Sequence, residues 1–292
     1  MKKIGLAFCG GGAKGAYQVG VIRVLEEFGL LDQVQAVAGS SIGAINGTLF
    51  LQYSVDEIEE FWLQCPWSSV FSVSKENMKR MNQVIDAMNS RQLSPFFGMM
   101  NLAGMANHVG LPLSRKGFEK VFRYYLNPSM IQTSDVDLFI SCAKSKSSER
   151  RFFKLNDLSS KEMKNVLLAT TAVPGLYEPV NIDGTYYLDP MKQERAPIRP
   201  LLATDCDMII IIYLDARSRL GKPMIEGKRI VEIFPRKELG NGIYGSFDFR
   251  PSVLKYYMEL GSADAYRVLY RIISENPKPP YRVEHRSKIL EP

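Results

Sequence analysis

Within the first fifty residues, two apolar stretches each run straight into a glycine-bearing turn and then into a segment of helical period. Residues 4–8, IGLAF, are short and apolar, as a buried strand requires. The run Gly10-Gly11-Gly12-Ala13-Lys14-Gly15 follows. From Ala16 to Phe28, Val19, Ile22 and Leu25 recur at helical spacing until Gly29 stops the helix. The second unit repeats this order. QAVAG, residues 35–39, leads into the tight turn GSSIG, residues 39–43, and a helix over Gly43 to Gln52 places Ile42, Ile45 and Leu49 on one face. Connections this short leave few folds open. The strands must lie side by side and parallel, with helices packed across them, which is an α/β sheet.

The remaining chain extends that sheet. DEIEEFWLQC, residues 56–65, reads as an amphipathic helix, and residues up to Leu126 as helices joined by loops rich in Met, Phe, Asn and Ser. VDLFISCAK and RRFFKL flank a Lys/Ser turn and predict a hairpin. SSKEMKNVLLATTAV predicts a serine-capped helix ending before Pro174-Gly175, and GTYYLD a short strand after an Asp183-Gly184 turn. APIRPLLAT predicts a short helix, RIVEIFP a strand and residues 251–274 a last amphipathic helix. MIIIIYL, residues 208–214, is too short to span a bilayer and reads as a buried central strand. The expected fold is α/β in three layers, a central and mainly parallel sheet between helices. A helical insertion is expected over about 54–130, and a C-terminal helical part over about 235–292.

A content of 46% hydrophobic and 23% charged residues excludes a disordered or fibrous chain. The formal charge of +6 suits an anionic surface without identifying one, and no groove-reading motif for nucleic acid is present. Cys9, Cys65, Cys142 and Cys206 lie far apart. With only His108 and His285 beside them, no zinc site and no other metal or cofactor is expected. Reduced, buried thiols and the lack of an apolar leader make the cytoplasm the expected compartment.

Gly39-Ser40-Ser41-Ile42-Gly43 fits G-x-S-x-G, with Ser41 central. A serine on a strained turn between strand and helix exposes its hydroxyl, and the flanking glycines make room for neighbouring elements. The helix behind it favours negative charge at its N-terminus. A serine attacking an ester needs donors for the tetrahedral oxyanion. The amides of Gly10, Gly11 and Gly12 would lie alongside, because loops after neighbouring parallel strands share the carboxyl edge. A rival reading uses the same loop as G-x-G-x-x-G of a nucleotide-binding module, yet Asp32 precedes the second strand and no acidic residue ends it. The base is open between a histidine and a carboxylate. Ser41…Asp189…His285 has the order of a hydrolase triad, but His285 sits in a Pro-rich charged tail. Asp189 ends the YYLD segment and serves as a base only where burial raises its pKa or where it chiefly orients Ser41. Its bland reading is a turn-opening aspartate.

Four blocks in order resemble the patatin-like phospholipases, the acyl lipid hydrolases: GGGAKGAYQVGVIRVLEE, GSSIGAINGTL, LATTAVPGLYEPV and GTYYLDPMKQERAP, within residues 4–215. The resemblance implies one catalytic domain over residues 1–292 and a Ser–Asp dyad without histidine. Ser41 would be the nucleophile, Asp189 its partner, and Gly10, Gly11 and Gly12 the oxyanion hole. Lys14 takes the signature's basic position, with Gly15, Gly39 and Gly43 in support. It also implies phospholipids, lysophospholipids or simpler fatty acyl esters as substrates, no metal, and peripheral contact with membranes as a further expectation. Two residues depart from the family pattern: Pro190 follows the aspartate where the family has Gly, and Arg195 replaces its usual Asn. A relative disabled by Pro190, retained as a lipid binder, is the remaining alternative. Met78, Met81, Met88, Met99, Met100 and Met105, with Phe96 and Phe97, suit either an acyl channel or a plain helical core. The basic-aromatic run of residues 114–125 suits either a lipid-facing helix or a solvated one.

Overall fold

The computed structural model describes residues 3–65, 67–70, 115–147, 149–174, 176–191, 196–240 and 244–274. The methionine-rich part of the insertion, both histidines, Arg195 and the tail lie outside the described residues. The main helices are α1 (Ala16–Glu27), α2 (Ile42–Phe50), α3 (Val55–Gln64), α4 (Lys116–Tyr125), α5 (Ser160–Thr170) and α6 (Pro251–Ser274). The strands are β1 (Ile4–Phe8), β2 (Val34–Ser40), β3 (Asp137–Lys144), β4 (Arg150–Lys154), β5 (Val180–Ile182), β6 (Thr185–Leu188), β7 (Met208–Ile212), β8 (Met224–Ile225) and β9 (Lys228–Ile233).

The strands form one mixed sheet in the order β5-β6-β3-β2-β1-β7-β9-β8, with β4 paired to β3. Its centre, from β3 through β2, β1 and β7 to β9, is parallel throughout, and its edges are closed by antiparallel hairpins. This is the sheet that the two opening strand–turn–helix units demand. The strand at residues 208–212 is central and wholly buried, as its unbroken apolar run predicts.

Alternation along the strands splits the core in two. Ile4, Leu6, Phe8, Val37, Ile210 and Ile212 face a thick layer that includes α1, α2, α3, α5 and α6. Ala7, Ala36, Ala38, Ile209 and Ile211 face a thinner one, where Ile198 and Leu201 of the segment around the single turn Arg199–Leu202 lie over small side chains. Of the helical layers, the second is therefore narrow among the described residues. Helix starts follow local chemistry. Ser54 with Glu57, and Ser159 with Glu162, form reciprocal capping boxes on α3 and α5. The long α6 is locked to α1 by Asp264, whose carboxylate accepts from the Tyr17 hydroxyl at 3.1 Å and the Arg236 amide at 3.0 Å.

One feature of the register positions the site. Ala143 of β3 pairs with Arg150 on β4 and with Leu188 on β6, so β4 and β6 occupy opposite edges of β3. Ser141 pairs with Phe152 on β4 and with Ser40 on β2, so β2 takes the same edge as β6. The two strands approach end to end along that edge. One further step in each register brings Ser41 and Asp189 to the level of Cys142. The hairpin that delivers Asp189 turns at Asp183 and Gly184, with φ of 49° and 79°. The turn is readable in the sequence, whereas its first strand, β5, is not.

Candidate active site

Ser41 is the only residue between the end of β2 and the start of α2, and it sits at φ 54°, ψ −126°. An L-residue is strained there and persists only where its surroundings hold it. The holding contacts are visible. The Ser41 N–H donates to the Thr170 hydroxyl at 2.9 Å, and that hydroxyl donates to the Ser141 carbonyl at 2.7 Å. The Ser41 carbonyl accepts the Ala44 N–H at 2.9 Å. The flanking glycines are sterically required. A β-carbon on Gly39 would lie 2.5 Å from the Gly43 carbonyl oxygen, and one on Gly43 would lie 2.2 Å from that of Phe8. The GSSIG turn is thus wedged against both its own helix and the first strand.

The glycine loop lies alongside. Gly10 is exposed, and a β-carbon there would come within 3.0 Å of the Ser41 β-carbon. Gly11 packs against Leu214. Gly12 has φ 60° and presses on the Ser246 backbone, and Gly15 fits against Ile42 and Trp62. Lys14 reaches Gly245 and lies near Asp215, whose carboxyl is held below its ordinary range by its hydrogen bond from Arg217, with Lys14 adding to the effect. A buried amide network spans the loop. Gln18 donates to the Cys9 carbonyl at 2.8 Å, Asn46 donates to the Gly15 carbonyl at 3.0 Å and to Gln18 Oε1 at 2.8 Å, and Trp62 donates to Asn46 Oδ1 at 2.8 Å.

Asp189 is 5% exposed and its N–H donates to the Ala172 carbonyl at 3.0 Å. Its carboxylate accepts the Met191 N–H at Oδ1 at 2.7 Å and lies near enough to the Ser41 hydroxyl for that hydroxyl to favour its charged form. The aspartate therefore opens a turn and meets the serine at once. Pro190, which lacks an N–H, is bridged by that bond, and Met191 takes φ 47° to make it. Arg150 donates to the Pro190 carbonyl at 3.4 Å. Burial pushes the Asp189 carboxyl up to about 6. The Ser41 hydroxyl, the Met191 N–H and the Arg150 charge pull the other way.

Ser41, Asp189 and the loop at Gly10 thus converge at the carboxyl edge of the parallel sheet. Asp32 lies away from the end of β2, in a turn before that strand. Thr170, Arg150, Gln18 and Asn46 are not singled out by the sequence pattern. Thr170 lies inside the LATTAV block, but nothing local says that its hydroxyl reaches Ser41. Among the described residues no His, Cys, Asp and Glu cluster has the makings of a metal site, and no helix is long and apolar enough to cross a membrane.

A sequence profile of the patatin-like phospholipases matches residues 6–190. Lysophospholipase nte1 of Aspergillus terreus is 49% identical over 49 residues, 17% of this chain and 3% of that protein. Lysophospholipase nte1 of Neurospora crassa is 43% identical over 53 residues, 18% of this chain and again 3% of the relative. These matches thus span a small fraction of the length of the curated relatives. Among solved structures, VipD from Legionella pneumophila superposes with a TM-score of 0.50 at 14% identity, covering 92% of this chain and 67% of that one. Human GIVD cytosolic phospholipase A2 gives 0.49 at 12% identity, covering 94% and 58%. At 14% identity the likeness to VipD is one of fold. The profile runs from the first strand through both the Ser41 turn and Asp189, and on that evidence the chain belongs to the patatin-like phospholipase family of lipid hydrolases.

Proposed function

We propose that this chain hydrolyses acyl esters of lipids through Ser41 and Asp189. The observation that supports the reading is the juxtaposition of a serine at a strained φ of 54° with the buried Asp189 carboxylate, beside the Gly10 loop. Ser41 Oγ attacks the ester carbonyl carbon as its proton passes to Asp189. A carboxylate titrating near 6 is ionised at neutral pH yet basic enough to accept that proton, unlike one near ~3.9. The oxyanion forms against the amides of Gly10, Gly11 and Gly12, a contribution worth on the order of 3 kcal/mol per donor. The ester C–O bond then breaks, and the alcohol leaves with the proton from Asp189. Water attacks the acyl-enzyme as Asp189 takes its proton, and the C–Oγ bond breaks as Asp189 returns that proton to Oγ, giving the free acid and regenerating Ser41 and the carboxylate.

Phospholipids, lysophospholipids and simpler fatty acyl esters are the proposed substrate classes, approached at a lipid surface. We further propose one catalytic domain over residues 1–292. A cytoplasmic setting is also proposed, and four buried thiols without a disulfide support it. A fluorophosphonate probe mapped by mass spectrometry tests the reaction. Modification is expected at Ser41, with hydrolysis of p-nitrophenyl esters abolished in Ser41→Ala and reduced at least 100-fold in Asp189→Asn. Full hydrolysis by Ser41→Ala would remove the proposal.

A further inference from the structure

We infer that Gln18 is a positioning residue that sets the direction of the Gly10 amide before any ester arrives. This rests on the proposed attack by Ser41. The peptide unit between Cys9 and Gly10 is planar, so its C=O and N–H point in opposite directions. Gln18, fully buried on α1, donates from Nε2 to the Cys9 carbonyl at 2.8 Å and to that of Ile212 at 3.4 Å. Holding that oxygen against α1 turns the Gly10 N–H away from α1, on a residue whose β-carbon, were one present, would come within 3.0 Å of the Ser41 β-carbon.

The polarity of the whole chain of amides follows from its outer end. The Trp62 indole N–H only donates. It occupies Asn46 Oδ1 at 2.8 Å, which commits Asn46 Nδ2 to donate to the Gly15 carbonyl and to Gln18 Oε1. Gln18 must then present its NH₂ to Cys9. The loop is gripped at its entrance by Gln18 and at its exit by Asn46, and Asn46 belongs to the helix that begins directly after Ser41. Loop and nucleophile turn are thereby held as one piece. Rotating the Cys9–Gly10 plane would leave buried donors unpaired.

The test compares the full chain with Gln18→Met, which keeps the length of the side chain and removes the donor. Asp264→Asn, which loosens α6 from Tyr17 of α1 and removes no bond of the amide chain from Trp62 to Cys9, serves as a control for lowered stability. Two readouts are taken: the rate of fluorophosphonate modification of Ser41, and kcat and KM for a p-nitrophenyl ester. Gln18→Met is expected to lose about 10- to 100-fold in modification rate and kcat with KM within about two-fold, as for a donor used only in the transition state. Asp264→Asn is expected to melt earlier with kcat near that of the parent. Should Gln18→Met not fold, Asn46→Asp, which removes the donor at Gly15 and keeps an acceptor for Trp62, is expected to show the same fall in kcat. Parent-like rates in a folded Gln18→Met, or in Asn46→Asp where that variant takes its place, overturn this inference alone. An unmodified Ser41 in the parent chain overturns it together with the proposed reaction.

Discussion

The backbone at Ser41 makes a thermodynamic prediction independent of any substrate. Ser41→Ala and Ser41→Gly both remove the hydroxyl that reaches Asp189, so that loss cancels between them. Ser41 makes no side-chain cap bond to α2, so no cap is lost either. What differs is a β-carbon held at φ 54°, ψ −126°. Strain of this kind costs about 1–3 kcal/mol, and glycine gives back about 0.4–1 kcal/mol through its freer unfolded chain. The net difference favours glycine by about 1 kcal/mol. For a chain of this size that corresponds to a Tm higher by about 2–4 °C than that of Ser41→Ala. Urea unfolding followed by circular dichroism, and a thermal melt, at one pH for both variants, measure it. At an ordinary position glycine is the less stable of the two. An alanine variant as stable as the glycine variant, or more so, would refute the claim that the Ser41 turn stores strain.

Burial and its pKa near 6 make Asp189 prefer its proton in the folded chain. Its contribution to stability is fully present below the ordinary carboxylate range near 3.8 and is lost as pH rises through about 6, a change of up to about 3 kcal/mol. Asp189→Asn is therefore expected to raise Tm at pH 7.5 relative to the parent and to bring the two closer at pH 4.5, as read by melts across pH. If Asp189 takes the serine proton, kcat/KM falls on the acid side with a midpoint near 6. Arg150→Met, which removes a charge that favours the carboxylate, moves that midpoint upward in a pH–rate profile. Thr170→Val removes the hydroxyl that accepts the Ser41 N–H and donates to the Ser141 carbonyl, at a cost of about 1–3 kcal/mol in urea unfolding and at least a ten-fold loss of kcat. Gly43→Ala drives a methyl to 2.2 Å from the Phe8 carbonyl and is expected to yield little folded protein by gel filtration and circular dichroism.

Much of this architecture is written in local patterns. IGLAF, the glycine run and GSSIG predict β1, the loop and the Ser41 turn, because a strand feeding a tight turn and a helix has few solutions. The capping serine of α5 and the span of α6 are legible for the same reason. Steric need explains Gly39 and Gly43, and their tight contacts agree with the wedge that the motif implies. What escapes is non-local. β5 has three residues and gains its identity only by pairing with β6. Thr170 and Arg150 matter through the ends of elements that the sheet brings together, and no periodicity reports a hydroxyl reaching across to another strand. Pro190 reads as a departure that unsettles Asp189. In the fold, Met191 supplies the N–H and Arg150 holds the proline carbonyl, two compensations that sequence spacing does not reveal.

The end-to-end approach of β2 and β6 along one edge of β3 has a consequence for how activity arises during biosynthesis. The segment carrying Ser41 emerges and can collapse early, but its acidic partner arrives on a strand that pairs with only two residues of β3 and whose carrier is translated much later. Closing so long a loop comes late among folding events. A nascent or clipped chain that stops before the second hairpin would carry the serine bend with nothing to accept its proton. The proposed chemistry would then await the laying down of the far edge of the sheet.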